Sequence, residues 1–354
     1  MADKPKTVVG MSGGVDSSVA AHLLLQQGHE VVGAFIWQGK TAETCEGVSH
    51  CCGENDALDA RRVADALGIP FVMLNLENEF NELIDYFCRE YGAGRTPNPC
   101  LICNRRIKFG KLLEYAGRIG ADFIATGHYA RTARRGGRHL LLRGLDANKD
   151  QSYVLFALTQ EQLARTIFPD GELTKPEIRR IAAELNLPVK DKPESQEICF
   201  VPDDDYGRLL RERTPGAVRP GPVKDMDGNV VGEHPGIQFF TIGQRHGLRI
   251  AFGKPMYVVR LEREPNAVIV GTNDALMCRE LVASQVNWII EQPREPFRAQ
   301  VKIRYKQPAQ PATVHPLQDG RARVVFDVPA RAVAPGQGAV LYLDDVVAGG
   351  GWIE

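Results

Sequence analysis

The chain has 354 residues and a formal net charge of -1, with 44% apolar and 25% charged residues. This is ordinary globular composition for two or three domains, and it excludes a globally basic nucleic-acid binder while leaving local basic patches open. No apolar run approaches the roughly 18 residues of a membrane span, and the start, MADKPKTVVGM, lacks a signal-peptide core, so the expectation is a cytoplasmic protein with its cysteines reduced at rest.

In chain order, KTVVGM, HEVVGAFI, IPFVMLN and ADFIATG are short β-branched apolar runs, as in a parallel sheet covered on both faces. Helical segments are predicted between them over Asp16 to Gln27, Asn55 to Leu67, Glu79 to Glu90 and Arg105 to Ile119. In the second of these, Ala57, Leu58, Val63, Ala64 and Leu67 recur at helical spacing. The alternation predicts a doubly wound α/β domain over 1–212, with ligands beyond the carboxyl ends of its strands. Arg131, Arg134, Arg135, Arg138 and Arg143 surround a Gly-Gly hairpin turn. A further helical stretch is expected from Gln151 to Leu185, then a polar, proline-bearing loop, NLPVKDKPESQEICFVPDDD.

After about residue 215 the pattern becomes all-β. GNVVGEH, IQFFTIG, PMYVVRLE, NAVIVG, RAQVKIRY, ARVVFDV and AVLYLDD alternate between turn signals. They predict a central β-rich module over 213–279 and a C-terminal β-barrel over 280–354, with the change near Met277 to Leu281.

SGGVDSS (12–18) joins the first strand to the first helix. Gly13 and Gly14 allow positive φ and close approach to the backbone, and the helix N-terminus favours an anion. Ser12, Ser17 and Ser18 add hydroxyl donors. There is no Gly-Lys-Ser/Thr, so the loop is not a Walker A motif, and the dinucleotide fingerprint fails as well. RTPNPCLICNRRIKFG carries Cys100 and Cys103 as C-x-x-C, with Arg105, Arg106, Lys108 and Lys111 behind it. Positive charge and a helix N-terminus both favour thiolate. Cys199 lies in the later polar loop. His50, Cys51 and Cys52, with Cys45 nearby, are poorly spaced for zinc and read as packing or helix entry. Cys88 and Cys278 receive no functional reading.

SGGVDSS resembles the PP-loop of the ATP pyrophosphatase superfamily, whose members cleave ATP between the α and β phosphates and use AMP to activate a substrate oxygen. The strings GMSGGVDSSVAAHLL, CCGENDALDARRVADALGIP, RTPNPCLICNRRIKF, ADFIATGHYAR, LLRGLDANKDQSYVL, ESQEICFV and TIGQRHGL, with KIRYKQ and APGQGAVLY, together resemble the tRNA-specific 2-thiouridylase family, MnmA type, along essentially the whole chain. The resemblance implies ATP-dependent sulfur transfer to C2 of the wobble uridine (position 34) of tRNA. It implies ATP binding by Gly10, Met11, Ser12, Gly13, Gly14, Val15, Asp16 and Ser17, with Ile36 and Gly127 at the adenosine and Mg²⁺ held by Asp16. Cys199 would carry the sulfur as a persulfide, and Cys103 would be its partner, the pair ending as a disulfide. Asn98, Pro99 and Cys100 would meet the target base. His128, Lys149, Asp150, Gln151, Arg304, Tyr305 and Gln337 would meet the tRNA, which by family carries a Lys, Glu or Gln type anticodon. An upstream persulfide donor protein would supply the sulfur.

Many family members carry aspartate at the position of Cys100. With Cys100, Cys103 and Cys199 all present, a [4Fe–4S] cluster is an alternative sulfur carrier. Readings of other classes are a PP-loop amide-forming synthetase, which leaves the cysteines unexplained, and a non-catalytic RNA-binding protein with a relict nucleotide site.

Overall fold

The valine pair of the N-terminal run anchors the first strand: in β1 (Lys6–Gly10), Val8 and Val9 are wholly buried. The computed structural model describes residues 4–39, 53–194, 198–201, 205–248, 250 and 253–354. These form two units, the first drawn from Met1–Glu82, Cys100–Asp204 and Asp345–Val347, the second from Leu83–Pro99, Asp205–Asp344 and Ala348–Glu354.

In the first unit β1 leads into α1 (Val15–Gln26), β2 (Glu30–Trp37), α2 (Glu54–Leu67), β3 (Phe71–Asn75) and the opening turns of α3 (Glu77–Gly92). The chain returns through α4 (Pro99–Ile102), a π-helix over Cys103–Lys111, α5 (Leu112–Arg118) and β4 (Phe123–Thr126). A hairpin follows, β5 (Ala130–Arg135) and β6 (Arg138–Arg143), turning through Gly136 and Gly137 at φ 57° and 80°. Mirror-image hairpin turns require such angles. Then come α6 (Gln160–Ala164), β7 (Thr166–Ile167) and α7 (Lys175–Glu184).

The sheet order is β3-β2-β1-β4-β7, every pair parallel. The chain winds outward from β1 first through β2 and later through β4. The order therefore reverses at β1, and its carboxyl end opens the ligand crevice expected of doubly wound sheets. One face of the sheet packs Val9, Val19, Leu24, Ala60, Val63 and Ala64 into a common core. Leu58, expected on the apolar stripe of α2, is instead 51% exposed, because Ala60, Val63 and Ala64 are the residues facing the sheet.

The single helical stretch expected from Gln151 to Leu185 is broken into short pieces. Two threonines restart the helix. Thr159 accepts from the Gln162 N–H while Gln162 accepts from the Thr159 N–H, and the Thr174 N–H and hydroxyl both donate to Glu177. These caps, with Pro169 and Gly171 between them, end one segment and begin the next. Between the caps lies Asp170, fully buried, with neither carboxyl oxygen meeting a donor among the described residues. Burial, reinforced by the charge of Asp16 and opposed by Lys175, raises its pKa well above the ordinary value.

The second unit holds the rest of α3, α8 (Tyr206–Arg213) and two β assemblies. β8 (Gly221–Lys224), β9 (Val230–His234), β10 (Tyr257–Glu262) and β11 (Ala267–Gly271) form a sheet in the order β10-β11-β8-β9, with only β8 and β11 parallel. IQFFTIG, expected as a strand, is a 3-10 turn at Ile237–Phe239 whose Ile237 and Phe240 enter this module's core. The last six strands are β12 (Met277–Trp288), β13 (Phe297–Lys302), β14 (Gln310–Pro316), β15 (Ala322–Arg331), β16 (Gly338–Leu343) and β17 (Val346–Ile353). They run in the order β12-β15-β14-β13-β16-β17, and β17 pairs back onto β12 to close a barrel. Its interior is Val301, Val314, Val324, Phe326, Leu341 and neighbours. No described helix is long and apolar enough to cross a membrane.

An acid buried without partners costs stability, about 1–3 kcal/mol for a group of this kind. Asp170→Leu is therefore expected to raise thermal stability. The sign with pH follows from linkage: the unfolded carboxyl titrates near 3.9 and the folded one higher, so the native state binds more protons in between and stability falls as pH rises above about 4. Melting curves from pH 4 upward should show that decline weakened in the leucine variant.

Candidate active site

The turn after β1 is shaped by backbone contacts. Gly13 sits at φ +72°, and a Cβ there would lie 2.3 Å from the Asp56 carbonyl oxygen. Gly14 is the N-cap of α1 and supplies no side-chain cap, so the first N–H groups of this 12-residue helix are left for other partners. The three serines divide their work. Ser17 and Ser18 are buried and their hydroxyls donate to the Gly14 carbonyl at 3.3 and 2.8 Å. Ser17 also accepts from the Ser12 N–H at 3.1 Å. Ser12 is exposed, and its hydroxyl lies 3.3 Å from Ser17 Oγ. Gly127, directly after β4, packs against the start of α1: a Cβ there would lie 2.6 Å from both the Asp16 carbonyl carbon and the Ser17 nitrogen. Ile36 lies inside β2, one residue before its end, and is half-buried.

Asp16 is the origin of a charge network. Its Oδ1 accepts from Lys175 Nζ at 2.6 Å and from the Tyr129 hydroxyl at 2.9 Å. Burial, then the Asp16 charge, raises the Tyr129 pKa, so the phenol remains a donor. Lys175 also meets Glu194 Oε1 at 3.0 Å, and Lys149 Nζ meets Glu194 Oε2 at 2.6 Å. Burial alone would raise the Glu194 pKa, but the bonds from Lys149 and Lys175 outweigh it and hold the carboxyl below its usual range. On the other side of the turn, Lys192 Nζ donates to the Gly13 carbonyl at 3.0 Å and pairs with Asp56 at 2.6 Å and Asp59 at 2.7 Å. Tyr129, Lys175, Lys192 and Glu194 had no functional reading from the sequence. The only local signal was a lysine–acid run beside the Cys199 motif, and a charge run is usually a solvated face.

Cys100 and Cys103 both lie on helix, Cys100 in α4 and Cys103 at the first position of the π-helix. α4 runs directly into the π-helix, in which the Leu112 N–H reaches the Ile107 carbonyl. π-turns concentrate at functional positions. The expected activation of these thiols by positive charge is overturned by burial. Cys103 is buried and its thiol is pushed up to about 11, Lys108 lowering it by less than burial raises it. Solvent reaches Cys100, yet the protein crowded around it also pushes its thiol up, again against Lys108. Cys199 is exposed. Among the described residues no three His, Cys, Asp or Glu side chains gather as a metal-ligand set, so Cys100, Cys103 and Cys199 are not assembled to hold a cluster. A Mg²⁺ arriving on a triphosphate needs only one or two protein carboxylates, and Asp16 in the first turn of α1 fits that requirement. Cys45, His50, Cys51 and Cys52 lie outside the described residues. Cys88 is buried in α3, where burial pushes its thiol up to about 11.

The remaining candidates differ in what their side chains face. His128 is buried, Nδ1 2.8 Å from Thr126 Oγ1, and burial lowers its pKa well below the usual value, leaving it neutral. Asp150 is buried with Oδ1 accepting from the Gly144 and Ser152 N–H groups. Gln151 Oε1 accepts from the Tyr129 N–H at 2.9 Å. Arg105, Arg106, Arg134 and Arg135 are exposed, whereas Arg131 pairs with Asp345 at 3.0 Å. In the second unit Asn98 is half-buried and Pro99 buried. Gln337 Nε2 donates to the Thr96 carbonyl at 2.9 Å, and the Thr96 N–H to the Pro335 carbonyl at 2.8 Å, stitching this segment to the barrel. Arg304 donates to the carbonyls of Ile242 and Ala332 at 2.7 and 3.1 Å. Tyr305 is 37% exposed beneath Lys302, whose Nζ lies 5.4 Å from its ring centroid.

Three family models match in succession: a tRNA methyl transferase HUP domain over 5–203, a tRNA methyl transferase PRC-barrel domain over 209–272 and an aminomethyltransferase β-barrel domain over 278–353. The tRNA-specific 2-thiouridylase MnmA of Heliobacterium modesticaldum is 52% identical, the match covering 99% of this chain and 92% of the relative. That of Pelotomaculum thermopropionicum is 50% identical over 99% and 98%. The chain belongs to the tRNA-specific 2-thiouridylase MnmA family. Among solved structures, a 4-thiouridine synthetase in complex with RNA and ATP matches at TM-score 0.38 and 18% identity, covering 60% of this chain and 51% of that one.

For this MnmA-family chain the contacts at Gly127 make a sharp test. Gly127→Ala forces the first turn of α1 away from the end of β4 and is expected to weaken ATP binding tenfold or more, measured by calorimetric titration. Gly117→Ala, where an added Cβ meets nothing within 4 Å, should leave it unchanged.

Proposed function

We propose that this protein is a tRNA sulfurtransferase that forms 2-thiouridine at the wobble position, using ATP to activate the uridine O2 and a cysteine persulfide to deliver sulfur. The observation that carries the reading is the 52% identity, spanning 99% of the chain, to a protein named tRNA-specific 2-thiouridylase. The uncapped glycine-bounded start of α1 at the reversal point of the sheet supports it, since that is where a polyphosphate gains most from backbone N–H groups.

In this reading Gly10 to Ser17 receive the phosphates, Ser12 adds its hydroxyl, Asp16 holds Mg²⁺, and Ile36 and Gly127 border the adenosine. A carbonyl oxygen is a poor leaving group, whereas the adenylated oxygen departs as AMP after pyrophosphate has left. Cys199, being exposed, takes a sulfane sulfur from a donor protein by thiol exchange, the donor leaving as its thiol. The terminal persulfide sulfur attacks C2 and AMP departs. Cys103 then attacks the Cys199 sulfur, releasing 2-thiouridine and leaving a disulfide that an external dithiol reduces. The two electrons that convert sulfane sulfur to the thiocarbonyl come from this cysteine pair. Burial favours the protonated Cys103 thiol, so this attack requires that the thiol first lose its proton. Asn98, Pro99 and Cys100 border the target base. The exposed arginines of the hairpin and of 105–106, with Lys149 and Tyr305, offer charge and a stacking face to tRNA phosphates and bases. The cytoplasm, where tRNA and reducing dithiols occur together, is the compartment this chemistry requires.

Cys199→Ser is expected to abolish 2-thiouridine formation, measured by nucleoside chromatography, while tRNA binding persists. Full thiolation by this variant would remove Cys199 from the mechanism. Cys100→Asp is expected to retain activity with a persulfide donor under anaerobic, iron-free conditions. Loss of activity there, with iron and sulfide bound by the parent protein, would transfer the sulfur-carrying role to a cluster on Cys100, Cys103 and Cys199.

A further inference from the structure

We propose that the TIGQRHG loop, with Arg331 beside it, is a phosphodiester-binding site for tRNA in which Arg245 and Arg331 make the contacts. The inference rests on the function proposed above and adds two residues to its RNA surface. All the residues concerned belong to the second unit.

The loop over 241–247 is fastened before its tip reaches solvent. The Gly243 N–H donates to the Val258 carbonyl at 2.8 Å, and the Val258 N–H donates to the Gln244 carbonyl at 2.9 Å. Gln244 then closes the loop on itself. Its Oε1 accepts from the Thr241 N–H and its Nε2 donates to the His246 carbonyl, both at 2.9 Å. Leu248 is buried behind the tip, whereas Arg245 and His246 are exposed. A loop already ordered loses little further freedom when its tip takes a ligand.

The barrel brings two guanidinium groups to the same loop. Gly243 sits at φ +89°, and a Cβ there would lie 2.9 Å from Ala332 Cβ and 3.8 Å from both Arg304 Nη2 and Arg331 Nη1. Two cations therefore approach one point of the backbone, and they are used differently. Arg304 Nη2 donates to the carbonyls of Ile242 and Ala332, so it ties the loop to the end of β15. Arg331, the last residue of β15, is aimed by its Nε bond to Asn273 Oδ1 at 2.8 Å and by the Tyr257 ring, 5.1 Å from its Cζ. Both of these partners are uncharged. Neither Arg331 nor Arg245 meets a carboxylate among the described residues, while Arg260 and Arg298 on nearby strands pair with Glu262 and Asp327. Like charges gathered without a counter-charge repel, and an anion between them relieves the repulsion. The anion that a tRNA surface must neutralise is the phosphodiester. Tyr305, one position after Arg304 and 37% exposed, adds a ring on which a base can stack. Arg304, expected from the family to meet the tRNA, here supports the loop that does.

The test is tRNA binding by fluorescence anisotropy, with the protein and its variants titrated into a labelled tRNA transcript at a series of salt concentrations. Each lost phosphate contact removes about one from the slope of log affinity against log salt. Arg245→Ser combined with Arg331→Ser is expected to weaken binding about tenfold at low salt and to lower the slope by about two. Arg331→Lys keeps the charge and should keep the parent slope; an effect equal to that of serine would reduce Arg331 to a packing role and overturn its assignment. Arg298→Ser, whose arginine is already paired with Asp327, should bind with the parent slope. If the double variant does not fold, Arg245→Ser alters only an exposed tip and decides the question with a slope lower by about one. A slope unchanged from the parent in the double variant, or in Arg245→Ser, would overturn the proposal. If the parent protein bound the transcript with the expected salt dependence but formed no 2-thiouridine, the proposed function would fail and the arginine site would stand.

Discussion

Backbone meeting backbone around residue 13 is the constraint on which the site depends. A Cβ at Gly13 would overlap the Asp56 carbonyl, and one at Gly127 would overlap the first turn of α1. Because neither exists, the start of α1, the start of α2 and the end of β4 converge at the carboxyl end of β1. The start of α1 carries no side-chain cap on its first N–H groups. The convergence places Asp16 where Tyr129 and Lys175 reach it, and it brings the Gly13 carbonyl within reach of Lys192. Larger residues would open the turn, and the charge network would lose its anchor.

Charge and burial compete throughout this region, and different groups resolve the contest differently. At Glu194 two lysine bonds outweigh desolvation and the carboxylate is favoured. At Cys103 the nearby Lys108 is too weak against complete burial, and the thiol wins. At Asp170 burial and the charge of Asp16 act together, and the neutral acid results. The difference lies in contact: direct hydrogen bonds to a charged partner offset desolvation, whereas a charge acting at longer range does not.

Where periodicity and turn chemistry are local, the sequence is a good guide. The parallel strands β1 to β4, α1, α2, the Gly-Gly hairpin and three of the six barrel strands, β13, β15 and β16, lie where their apolar patterns put them, whereas β7, β12, β14 and β17 answer to no expected run. The misses have local causes. β14 carries Pro311 and Pro316, and β17 carries Gly349, Gly350 and Gly351, which weaken a strand pattern. In the folded barrel a Cβ at Gly349 or Gly351 would lie 2.5 or 2.6 Å from a carbonyl oxygen of β12, so those glycines serve strand closure. IQFFTIG alternates like a strand but satisfies its apolar side chains from a 3-10 turn. The long helix expected after Gln151 overlooked two threonine caps.

The glycine–serine turn, the C-x-x-C pair, Cys199 and the family are legible along the chain, because each is carried by short strings of adjacent residues. Folding sets the rest: Ser17 and Ser18 turn their hydroxyls to the Gly14 carbonyl, the C-x-x-C pair lies on a helix with Cys103 buried and unactivated, and Lys149, Lys175 and Lys192 join Asp16, Asp56, Asp59 and Glu194 around the turn. Those properties depend on desolvation and on pairs as much as 159 positions apart. Neither can be read from spacing along the chain, since both are set by what the fold packs against each group.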